Sequence, residues 1–64
     1  MRINTISLLD LMTRHGMTQA GLADKSGVSR QTINSTLSKG SCSVQTIGKI
    51  ADAMGVSLAE LIKE

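Results

Sequence analysis

The chain has 64 residues, with one cysteine, one histidine, no proline, no aromatic side chain and a formal net charge of +2. That length supports one domain with a thin core and leaves no room for a large catalytic cleft. A lone Cys42 excludes an internal disulfide and makes no zinc site with a lone His15, so packing must supply the stability. An apolar complement of Leu, Ile, Val, Met and Ala favours short helices over a sheet, and the expected fold class is all-α, with residues 1–64 as a single domain.

In chain order, Ile6, Leu9 and Met12, together with Leu8 and Leu11, recur at helical spacing, and Arg14-His15-Gly16 supplies the cations and glycine that helix ends prefer. This predicts a helix over about 5–15. Asp10 interrupts the apolar run and no small-residue cleavage site follows. Neither a secretion signal nor a membrane span is therefore expected, and the expected compartment is the cytoplasm. Thr18 can cap a second helix over 18–26 with Ala20, Leu22 and Ala23 inward, ended by Lys25-Ser26-Gly27. Ser29 caps a third over 29–38, with Ile33 and Leu37 inward and Lys39-Gly40 as the stop.

Ser43 opens a fourth helix over 43–54, whose stripe is Val44, Ile47, Ile50, Ala51 and Met54, and Gly55 ends it. Ser57 with Glu60 three residues on reads as a capping box, and Leu58, Leu61 and Ile62 would bury a last short helix over 57–63. Helix 1 offers more apolar positions than so small a core easily absorbs. Leu8 and Leu11 point about a quarter-turn from Ile6, Leu9 and Met12, so the face is either a wide core face or, with Leu58 and Ile62, part of a contact between copies.

Charge is unevenly placed. From Lys25 to Ala51 there is no acid, while Lys25, Arg30, Lys39 and Lys49 lie within; Arg2, Arg14 and Lys63 share the remainder with all five carboxylates. Such a split points to nucleic acid more than the total does. Arg14, Lys25, Lys39 and Lys63 stand where predicted helices end, and a cation there complements the helix dipole with no ligand. Arg30 stands in a first turn, where the dipole favours an acid, so an external anion or base acceptor is the better explanation. Gln31, Asn34 and Ser35 give the same helix a hydrogen-bonding face where an ordinary exposed face would more often carry Glu and Lys.

Two short helices joined by Gly27-Val28, the second polar outside, make a helix-turn-helix unit. Ala23 is small where the helices approach, Gly27 tolerates a positive φ, and Val28 with Ile33 plugs the wedge. Thr18-Gln19-Ala20-Gly21-Leu22-Ala23, Gly27-Val28-Ser29, Ile33 and the run from Thr46 to Leu61, ending Gly55-Val56-Ser57-Leu58-Ala59-Glu60-Leu61, resemble the Cro/CI-type helix-turn-helix family of phage repressors and bacterial regulators. The resemblance spans about residues 5 to 62. It implies a compact five-helix bundle, double-stranded operator DNA as partner and a homodimer on a two-fold symmetric site.

Carried over by motif, Ser29, Arg30, Gln31 and Ser35 would face base edges, with Asn34 flanking. Arg30 could pair with guanine O6 and N7, and Gln31 with adenine N6 and N7. Thr18 and Gln19 at the start of helix 2 would hold a backbone phosphate, as would Lys39, Ser41 and Ser43 beyond the recognition helix. Gly21 inside helix 2, Thr36 at an aliphatic position and one extra residue between Ile33 and Gly40 depart from the family pattern. The function the resemblance implies is a sequence-specific transcription regulator, most simply a Cro-like or phage-type repressor. The alternative is an antitoxin or restriction-modification controller subunit working through protein contacts. No metal, cofactor, small-molecule ligand or membrane partner is expected. Nor is an enzyme, since one His, one Cys and scattered carboxylates provide no nucleophile-base pair.

Overall fold

A computed structural model of the chain describes residues 1–63 and contains four α-helices: α1 (Thr5–Arg14), α2 (Gln19–Ser26), α3 (Arg30–Lys39) and α4 (Val44–Met54). All four begin in the same way. The side chains of Asn4, Thr18, Ser29 and Ser43 accept the backbone N–H three residues on, at 3.1, 3.0, 3.1 and 3.2 Å respectively. Their carbonyls accept the next N–H, from Leu8, Leu22, Ile33 and Ile47. Those four residues are fully buried, so each cap fixes a helix start and the same turn drops an aliphatic side chain into the core.

The core joins these four to Ile50 and Leu61, also fully buried, with Ile3, Met12, Val28, Ala51 and Met54 around them. Burying each large aliphatic side chain contributes roughly 1.5–3 kcal/mol before entropy is counted. Thr36 lies among them with 1% of its surface exposed, and its hydroxyl donates to the Thr32 carbonyl at 2.8 Å, so its polar atom is satisfied within α3. α2 packs against both α3 and α4, which makes α4 the inner support of the pair.

Several inward assignments are corrected. On α1 the core side is Leu8 and Met12 with Leu11 half-buried, whereas Ile6 is 79% and Leu9 49% exposed. At about 100° per residue, Ile6 stands ~200° round the helix from Leu8 and cannot share its face. Ala20 is exposed for the same reason relative to Leu22, and Val44, the first residue of α4, lies beyond the edge of the core. Met17 is half-buried against the core.

The fifth helix is also corrected: it is a single 3-10 turn, Leu58–Glu60. The Ser57 side chain makes no cap, and only its carbonyl accepts the Glu60 N–H, at 3.1 Å. The chain then straightens because residues 1–4 compete for its backbone. Asn4 N–H donates to the Leu61 carbonyl at 2.8 Å and Lys63 N–H to the Arg2 carbonyl at 3.0 Å, with Ile3 and Ile62 paired antiparallel. On its other side the same segment meets the α3–α4 loop. Ile3 N–H donates to the Gly40 carbonyl at 2.8 Å, Cys42 N–H to the Met1 carbonyl at 3.1 Å, and Arg2 pairs antiparallel with Ser41. Residues 1–4 therefore form a clip between the loop and the tail. Apart from these two isolated bridges, the described residues are helix, turn and loop.

Candidate nucleic-acid interface

The unit α2–turn–α3 is set by three small details. Gly27 adopts φ +76°, and its N–H donates to the Ala23 carbonyl at 2.9 Å, closing α2 in a left-handed cap that a side chain would strain. The Ser26 hydroxyl accepts the Val28 N–H at 3.2 Å, which aims Val28 into the core. Ser29 then starts α3, and the buried side of that helix, Ile33 and Thr36, decides what faces outward.

Outward lie Arg30, Gln31, Asn34 and Lys39, exposed, and Ser35, half-buried. Two shallow grooves flank this ridge, each about 460 Å³. The first brings Gln19, at the N-terminus of α2, together with Arg30, Gln31 and Asn34. The second brings Gln31, Ser35 and Lys39 together with Ser41 and Ser43 at the N-terminus of α4. Gln31 lines both, so it occupies the crest. Eight of the ten residues singled out from sequence thus line one groove or the other.

Thr18 and Ser29 line neither groove. Their hydroxyls cap helices, Thr18 accepting the Gly21 N–H and Ser29 the Thr32 N–H. Thr46, Thr32 and Cys42 do line the second groove and were not anticipated. A signal for Thr46 was present: α3 and α4 both open with Ser-x-Gln-Thr-Ile, at Ser29 to Ile33 and Ser43 to Ile47. In each the serine hydroxyl donates to the threonine hydroxyl, at 2.8 and 2.9 Å, so Thr46 sits on α4 as Thr32 sits on α3.

The electrostatics favour an anion along both grooves. None of α2, α3 or α4 has an acid in its first turn, and the amides opening each helix point outward with the positive end of the dipole. The one ion pair among the described residues joins Asp10 and Arg14 within α1 at 3.0 Å, which leaves Arg30 and Lys39 without carboxylate partners. Helix N-termini and unpaired cations on either side of a polar ridge suit two phosphate backbones bordering a groove of bases. Among the described residues no cluster of His, Cys, Asp and Glu could hold a metal ion, and no helix is long and apolar enough to cross a membrane.

Comparison with curated proteins and with solved structures finds no match. A family model described as helix-turn-helix matches residues 8–61, most of the chain and all of the unit just described. The chain therefore belongs to the Cro/CI-type helix-turn-helix family of DNA-binding regulatory domains.

Proposed function

We propose that this DNA-binding regulator is a repressor of the small phage type that acts in the cytoplasm by occupying a palindromic operator as a homodimer. The observation that supports it most is the crest position of Gln31 between two acid-free grooves, each closed by a helix N-terminus. With α3 in the major groove, Arg30 offers two donors to guanine O6 and N7, and Gln31 a donor and an acceptor to adenine, each pairing worth roughly 1–3 kcal/mol of discrimination. Asn34 and Ser35 read the flanking edges. Gln19 with the α2 amides takes one backbone, and Lys39, Ser41 and Ser43 with the α4 amides take the other. Two copies would set their α3 helices in successive major grooves about 34 Å apart, and bound protein would exclude RNA polymerase.

Selection of bound sites from random duplex DNA tests this. A symmetric pair of half-sites one helical turn apart is expected, with affinity falling steeply as salt rises, because each phosphate contact releases counterions and that release is favoured less at high salt. Recovery of no preferred sequence would overturn it. One observation favours a second reading, in which the chain is an antitoxin or controller subunit: Ile6 and Leu9 form an exposed apolar pair on α1. Co-purification with an unrelated protein, lost in Ile6→Gln but kept in Arg30→Ala, would support that reading.

A further inference from the structure

The clip does more than tie the ends of the chain together. Along an extended segment side chains alternate in direction, and Ile3 is buried, so the Arg2 side chain emerges on the opposite, outer side, where it is exposed. Residues directly opposite in an antiparallel pair project from the same face. Arg2 therefore projects beside Ser41, its partner across the bridge, and Ser41 lines the second groove next to Lys39. On the other edge, the Ile3–Ile62 pairing puts Arg2 opposite Lys63, whose N–H donates to the Arg2 carbonyl. Ser41, Arg2 and Lys63 thus stand in a row across three adjacent segments.

This row breaks a local rule. Like charges placed opposite each other on neighbouring strands repel, yet the only ion pair among the described residues lies elsewhere, between Asp10 and Arg14. The dipole explanation for Lys63 is gone too, because the last helical turn ends at Glu60 and residue 63 lies beyond it. Two cations projecting from one face beside Ser41 add positive charge at the edge of the second groove, where a backbone phosphate would be favoured. The row also continues the line of Lys39 and Ser41 away from the recognition helix.

We propose that Arg2 and Lys63 form a phosphate-binding strip that extends the grip of the α3–α4 loop by one or two DNA backbone phosphates outside the bases read by α3. The proposal rests on the DNA-binding reading and adds to it a sequence-independent contact carried by the clip. Arg2→Gln and Lys63→Gln, alone and together, would be titrated with a selected duplex and with a shuffled duplex over a range of salt. The expected result is a several-fold loss per substitution, equal on both duplexes, with the slope of log affinity against log salt shallower by about 0.9 for each phosphate lost. Arg2→Lys should restore the slope. Unfolding midpoints should equal or slightly exceed the parent's, because the backbone pairing of the clip is untouched and the repulsion between the two cations is relieved. Binding by the parent with unchanged slopes in the variants would overturn the strip and leave the regulator intact. Failure of the parent to bind any duplex would overturn both, and a loss confined to the selected duplex would move Arg2 to base reading and overturn the phosphate role.

Discussion

The Ser29 hydroxyl accepts the Thr32 N–H at 3.1 Å and donates to the Thr32 hydroxyl at 2.8 Å, so its single proton is already committed within α3. A side chain used in this way fixes where α3 starts. Ser29→Ala is expected to lower stability by about 1 kcal/mol in urea unfolding. The bases preferred by the folded protein should not change. A different base in the selected site would put Ser29 back among the base-reading residues.

Arg30 opposes the dipole of its own helix, which makes folding and binding separable at this position. Arg30→Glu should stabilise the fold by about 0.3–1 kcal/mol, read as a thermal midpoint a few degrees higher. It should also abolish duplex binding. Arg30→Ala should cost about 1–3 kcal/mol of discrimination at one base pair, seen by comparing duplexes altered there. A midpoint that fell in Arg30→Glu would show that Arg30 supports the fold.

The two faces of α1 differ sharply in what they tolerate. Leu8→Ala should cost about 2–5 kcal/mol, as much as a chain of this size commands, and leave much of the protein unfolded by circular dichroism at room temperature. Ile6→Gln and Leu9→Gln should each change stability by no more than about 0.5 kcal/mol. If either of the latter two also shifts a sedimentation profile from dimer to monomer, the α1 outer face is where copies meet.

Gly48 lies inside α4 with open space where a side chain would project, while Gly27 holds φ +76° in the turn. Gly48→Ala should raise stability by about 0.5–1 kcal/mol, because alanine loses less backbone entropy in a helix. Gly27→Ala should lower it by about 1 kcal/mol or more. Denaturant midpoints at matched slopes check both, and equal effects would mean that the turn relaxes to a negative φ.

The helix starts were legible because a polar cap, a donor three residues on and an aliphatic residue at the fourth position are all local, and Thr18, Ser29 and Ser43 each carry that pattern. The outward set on α3 followed, since burying Ile33 leaves Arg30, Gln31 and Asn34 outside. What distance in sequence decides was not legible. A clip made of single bridges has no periodicity, so Ile3 gave no sign of being core, nor Arg2 of lying beside Ser41. The capping box at Ser57 was outcompeted because Leu61 and Lys63 bond to Asn4 and Arg2. The stripe Ile6, Leu9, Met12 matched a helical period as well as the true face did, and only the placement of α4 and the clip chooses Leu8. The second groove likewise depends on where the loop from Gly40 to Ser43 is held, which no residue inside that loop declares.

Pairing residues 2 and 3 with 62 and 63 closes nearly the whole chain into a ring of contacts, and this sets an order of assembly. The helices and their turns form from near neighbours and can do so as the chain leaves the ribosome, α1 to α4 in turn. The pairing with the tail waits for residues 61–63, so the segment that places Arg2 next to Ser41 gains its second neighbour only after all four helices have been made. A nascent chain halted after α4 would carry α3 on an unfinished fold, lacking the buried Leu61. The fold is thereby completed only once residues 61–63 have joined it.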